Sequence, residues 1–251
     1  MTQIWQCLLA DYRQRTRQQK FIVSLLIMSL ATLLLFPAPD ANYQTLIIHG
    51  YRGIYNSAWI GVCLAMLSVL FLPVISFFLI KNALGTDRQT NTAQLIAATP
   101  IGKGRFLLAK WGANLSLLLT IFAVMLVTSL FVQLYYGESY RLDVWALVWP
   151  QLAFVLPMLI AVSAIALLFE SVNWLRGGLG NLIYVFLWLG TIVQTLESVS
   201  GIGAMIEHLE RYVETHLAVT SDSMNVGISV NDGNEIIQTF AWPGLSPDIT
   251  H

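Results

Sequence analysis

Charge is scarce in this chain. Only 11% of its 251 residues are Asp, Glu, Lys or Arg, against about 25% in ordinary soluble domains, and 56% are apolar. A soluble globule of this length cannot hide so much apolar surface, so the excess must face lipid. Cysteine is scarcer still. Cys7 and Cys63 lie on or near apolar segments and share no ligand spacing, which argues against a disulfide framework or a zinc site. Asp, Glu, Lys, Arg and His are missing altogether from five stretches: 21–39, 53–80, 111–137, 144–169 and 177–196. Intramembrane proton relays and catalysis need such residues inside the spans, so that chemistry has no carriers here. His49, His208, His216 and His251 all fall outside these stretches, leaving no Ser/His protease, haem ligand or H-E-x-x-H helix within them. There is no G-x-x-x-x-G-K-[ST] phosphate loop, so the chain does not hydrolyse ATP by that route. No catalytic residue, metal ligand, cofactor or nucleic-acid partner is expected.

What remains is a polytopic membrane protein. A spanning helix needs roughly 20 mostly apolar residues to cross about 30 Å of hydrocarbon. The five stretches predict five transmembrane helices, at about 21–38, 56–80, 112–135, 144–169 and 179–196, within a membrane domain of 21–196. The first follows twenty residues that include an amphipathic segment and lacks a small-residue cleavage site, so it is not read as a signal peptide. Basic residues fix the orientation by the positive-inside rule. Arg13, Arg15, Arg17, Lys20, Lys81, Arg88, Lys103, Arg105, Lys110 and Arg176 share one side, leaving Arg52, Arg141 and Arg211 of the 13 for the other. Acids run the opposite way. The expected topology is N-terminus cytoplasmic and C-terminal tail extracytoplasmic, in a cell (inner) membrane. Mild polar residues within the spans, among them Ser29, Asn114, Thr120, Gln133 and Asn181, fit either interhelical hydrogen bonding or a substrate path. Pro73, Pro150 and Pro157 are expected to kink or start their helices.

Residues 1–20 read as an amphipathic helix lying in the inner interface. Apolar positions 4, 5, 8, 9 and 12 form a helical stripe, with Trp5 and Tyr12 at headgroup level and Arg13, Arg15 and Arg17 against anionic lipid. Beyond 196 the character changes. Residues 201–217 put Met205, Leu209 and Val213 on one face and Glu207, Arg211 and Glu214 on the other, an amphipathic helix. His208 and His216 lie two helical turns apart, too far to share one ion on a straight helix. Short β-like runs with an Asn-Asp-Gly turn follow. Residues 197–251 are thus read as a small external α/β tail. With too few residues for an independent sheet domain, it is expected to belong to a larger external segment.

The longest polar interruption among the spans is the loop of residues 81–111, "GTDRQTNTAQLIAATPIGKGRFLLAKW" from Gly85 onward. Thr92 is a plausible N-cap for a short helix through Leu95 and Ile96, and Thr99-Pro100 ends it. Gly102 and Gly104 permit a reversal, after which a second helix carries Lys110 into span three. This pattern resembles the cytoplasmic loop between spans two and three in permease subunits of ATP-binding cassette (ABC) exporters of the second, six-span type. Asp87, Arg88, Thr92, Leu95, Thr99, Pro100, Ile101 and Lys110 match that family's motif. Gln89 and Gln94 replace its usual acids, and Asn91 replaces a glycine. The resemblance covers about residues 1–196 and includes the amphipathic N-terminal helix.

It implies a transport subunit that is not itself an enzyme. It would pair with a second permease subunit, as homo- or heterodimer, and bind a separate ABC ATPase through the loop 85–110. Arg88, Thr92, Gln94, Leu95, Ile96, Thr99, Pro100 and Lys110 are the expected coupling residues. The family's sixth span lies beyond an external segment, and such a continuation is the expectation here. The competing reading is a membrane structural or assembly subunit whose external tail docks a partner.

Overall fold

The apolar runs fold as helices because backbone in lipid must satisfy its own N–H and C=O groups within the segment. The computed structural model describes residues 2–39, 41, 43–48, 50–81, 102–136, 138–197, 202–217, 226–230 and 238–244. Along the chain come α1 (Thr2–Thr16), α2 (Gln19–Leu35), β1 (Tyr43–Ile48), β2 (Tyr51–Gly53) and α3 (Ser57–Ile80). Then follow α4 (Lys103–Tyr136), α5 (Val144–Pro150), a π turn (Gln151–Val155) and α6 (Leu156–Ser171). The last are α7 (Gly178–Glu197), α8 (Ile202–Leu217), β3 (Val226–Val230) and β4 (Gln238–Phe240).

Among the described residues, three helices are long and apolar enough to cross a membrane alone. They are α3, Gly104–Tyr136 of α4, and Val144–Ser171, which joins α5, the π turn and α6. The pair Ile4–Thr16 and Gln19–Leu35 is bent by 72° and makes a fourth if counted as one broken span. The apolar part of α7, Gly178–Gln194, is shorter. At 1.5 Å per residue it reaches about 25 Å, less than the roughly 30 Å core. The chain is therefore a mostly helical protein with three to four candidate spans and a small sheet, and these helices point to a membrane protein.

Proline sets two of the boundaries. The first expected span stops at Leu35 rather than 38, since Pro37 and Pro39 push their predecessors out of helical conformation. The fourth carries its π turn between Pro150 and Pro157, each of which lacks the N–H that a regular helix would use.

The chain forms two units. One gathers described residues of Met1–Met28, Val69–Val124 and Leu156–Thr191. Its core includes Leu72, Phe77, Leu118, Ile121 and Phe169. Phe77 stacks on Tyr184 with centroids 3.6 Å apart and meets Phe169 edge-on at 5.5 Å. Around Pro73 of α3, backbone carbonyls take hydrogen bonds from α7. The Tyr184 hydroxyl donates to Pro73 O at 2.9 Å and the Trp188 indole to Leu70 O at 2.8 Å.

The other unit gathers described residues of Ser29–Ser68, Met125–Val155 and Ile192–His251. Its sheet runs β3-β1-β2-β4, with β1 antiparallel to β2 and β3, and β2 parallel to β4. The strands after 217 are joined to others earlier in the chain, β3 to β1 and β4 to β2. Those partners lie within residues 43–53, between α2 and α3. Met205, Leu209 and Val213 are buried, so the amphipathic α8 uses the face its sequence shows. Beside the sheet, Arg52 is 3% exposed and ion-paired with Glu138, whose carboxylate also accepts the Tyr55 N–H at 2.7 Å. Gly61 sits where any Cβ would lie 2.8 Å from Ala146 O, so α3 and α5 touch backbone to backbone. Tyr135, Tyr140, Trp145 and Trp149 are exposed near the ends of α4 and α5. Amphipathic rings of this kind collect at membrane–water interfaces.

Candidate functional site at the roots of the basic loop

Arg88, Thr92, Gln94, Leu95, Ile96, Thr99 and Pro100 lie outside the described residues. The structure does describe both roots of their loop, Lys81 on one side and the start of α4 on the other. Both belong to the first unit.

At the α4 root, α1 lies against the helix through polar contacts. Lys110 is 6% exposed, and its ammonium donates to Asp11 Oδ1 at 2.9 Å. Arg15, one turn beyond Asp11 on α1, approaches Asp11 Oδ2 at 3.2 Å. That contact is Coulombic, because Oδ2 has no aligned hydrogen-bond donor. Arg15 spends its directed bond elsewhere, donating Nη1 to Asn114 Oδ1 at 2.8 Å. The Thr120 hydroxyl donates to Ser116 O, so its 2.8 Å contact with the Tyr12 hydroxyl is one in which Tyr12 donates. Close approach depends on Gly112, where a Cβ would stand 2.6 Å from Leu8 Cδ1. Two cations thus share one acid in a nearly dry seam.

The Lys81 root is held differently. Its ammonium donates to Asn181 Oδ1 and to Gly177 O and lies 5.4 Å from the Phe77 ring centroid. Burial pulls its pKa below the ordinary lysine value, and the charge of Glu170 opposes that fall. Glu170 is itself 1% exposed, next to the end of α6. Lys81 is thereby tied to α7 and neighbours the α6 carboxylate.

The expected interfacial anchors divide. Trp5 is 62% exposed, and Arg13 and Arg17 are exposed. Tyr12 and Arg15 instead turn towards α4. Asp11, Asn114, Thr120, Glu170 and Asn181 were not singled out as site residues by the sequence. Asp11 and Arg15 at i, i+4 were the available clue. On α8, burial and the charge of Arg211 push His208 below its ordinary pKa. Among the described residues, no group of His, Cys, Asp or Glu is placed to hold a metal ion.

No protein-family model, no curated protein and no solved structure matches this chain.

Proposed function

We propose that the chain is the membrane subunit of an ATP-driven exporter, with its N-terminus cytoplasmic, that takes its motion from a separate ATPase through the loop 85–110. The observation that carries this reading is the pinning of both loop roots. Lys110 is locked to α1 and Lys81 to α7, each with little exposure to solvent. A connector that only joins two spans needs no such anchoring. A loop that must transmit a push does, because motion applied to it would otherwise be lost at its ends. With roots fixed, displacement of the loop passes to α1, α3, α4 and α7 together.

In this mechanism the short helix around Leu95 and Ile96 seats in the ATPase, and Thr99-Pro100 keeps it stiff. Arg88 ties the loop to its partner or to the membrane base. ATP is consumed on the partner chain and the cargo crosses through a pair of membrane subunits. The matching loop motif and the basic residues gathered on one side support the same reading.

A charge placed at an apolar anchor of a docked helix should cost about 2 kcal/mol or more in binding. Leu95→Asp is expected to abolish ATPase co-purification and transport while membrane insertion stays intact. Normal co-purification and transport by that variant would reduce the loop to a connector and favour an assembly role.

A further inference from the structure

The first unit carries a groove that the coupling mechanism does not use. One wall is Gly104, Leu107, Leu108 and Trp111 of α4, and the other is α6 from Ala164 to Ser171. Its volume is about 590 Å³ and it is open along one side, within the roughly 300–1,000 Å³ of small-molecule sites. Each wall runs about two helical turns, or roughly 10 Å. The lining is apolar almost throughout. At the Gly104 end, Lys103 and Arg105 stand in the first turn of α4, a turn with no acidic residue, and Arg105 is exposed. Ser171 marks the same end of the other wall, and its hydroxyl is occupied by Leu168 O. Glu170 beside it is buried and interacts with Lys81. Trp111 lines the groove, and its indole N–H is buried without a hydrogen-bond partner.

We infer that this groove holds an acyl chain of an anionic phospholipid from the surrounding bilayer, its headgroup phosphate meeting Arg105 at the start of α4. Lipid is the occupant that matches both halves of the site. A slot that is apolar almost throughout suits a hydrocarbon chain, and a cation at its mouth selects a negative headgroup over a zwitterionic one. The inference requires the chain to sit in a bilayer, but it does not depend on coupling to an ATPase, and its test contains no ATPase.

Full-length protein is reconstituted in vesicles of equal phosphatidylglycerol and phosphatidylcholine, extracted gently, and its retained lipids are read by native mass spectrometry. Wild type should retain phosphatidylglycerol about fivefold over phosphatidylcholine, the discrimination expected of one cation near the surface. Arg105→Gln, an exposed change, should keep the bound lipid and lose the preference. Gly104→Phe should lose the retained lipid of both kinds. A Cβ at Gly104 meets nothing within 4 Å, so the new ring starts in open space. Phe186→Ala, on the exposed face of α7, should behave as wild type. Equal retention of the two lipids by wild type would overturn the inference. So would a Gly104→Phe protein that holds lipid as wild type does, or an unchanged preference in Arg105→Gln.

Discussion

The seam between α1 and α4 makes an asymmetric prediction, because Asp11 faces two cations and keeps Arg15 when Lys110 is removed. Side-chain exposures are 7% for Lys110, 14% for Arg15 and 11% for Asp11, so solvent screens the group only weakly. At 2.9 Å and an effective dielectric of about 20, the Asp11–Lys110 attraction is on the order of 5 kcal/mol before desolvation. Desolvation of the ions offsets much of that, so the net value of the pair is small. Removing one partner is another matter. Asp11→Asn keeps the shape and deletes the negative charge that Lys110 and Arg15 share, which should cost about 3–5 kcal/mol. Lys110→Met keeps the length of the stem and leaves Asp11 still facing Arg15, so its cost should be nearer 1 kcal/mol. For a chain of this size 1 kcal/mol moves the melting temperature by about 2–4 °C. Asp11→Asn should therefore melt at least about 6 °C below wild type in detergent, and Lys110→Met within about 4 °C of it. The double variant should show a coupling energy of at least about 0.5 kcal/mol, as contacting residues do. If Lys110→Met proved as damaging as Asp11→Asn, or if Asp11→Asn melted within 1 °C of wild type, the shared-acid argument would fail.

Two further outcomes follow from the second unit. Glu138→Gln should destabilise by about 3 kcal/mol, because Arg52 is buried against that carboxylate and the Tyr55 N–H shares it; a thermal melt unchanged from wild type would show the pair to be dispensable. Acid should loosen α8. His208 has a folded pKa below its ordinary 6.5, so the unfolded chain binds a proton that the folded chain resists, and stability falls as pH drops through 6.5 towards the folded value. The ring has Arg211 on its own helix and the Trp242 ring at 6.2 Å, and Glu207 and Glu210 are its neighbours in sequence. Hydrogen exchange, corrected for intrinsic rates, should show α8 less protected at pH 5.5 than at 7.5 in wild type and equally protected in His208→Gln. An equal acid effect in both proteins would assign it to another group.

The sequence shows helices where it shows unbroken apolar runs, because in a bilayer no other single-chain element satisfies its own backbone. It also shows α8, whose polar and apolar faces separate cleanly. It shows β-like runs after 217 but not the strands they pair with. Tyr43-Gln44-Thr45-Leu46-Ile47-Ile48 lacks clean alternation, since β1 is bulged between Gln44 and Ile47 where it meets β3. Leu46 sits there at φ 56°, a left-handed conformation that a leucine adopts only when its surroundings hold it. One of the strand's two partners, β3, is contributed from residues 226–230, far along the chain. Local pattern carries no trace of such a pairing.

The same limit explains why the loop could be found but its anchors could not. An all-round apolar helix has no stripe, so periodicity is silent about which face is packed. The face is chosen by the few residues that can bond across helices, and their partners lie far off in sequence. Asp11 and Lys110 are 99 residues apart, and Lys81 and Asn181 are 100 apart. The mild polar residues of the spans show this most directly. Gln133 accepts from the Ser57 hydroxyl at 3.1 Å, Gln151 donates to Gly61 O at 2.6 Å, and Ser29 meets Thr128 at 3.1 Å. Each is committed to a neighbouring helix or its backbone, so these residues hold helices together.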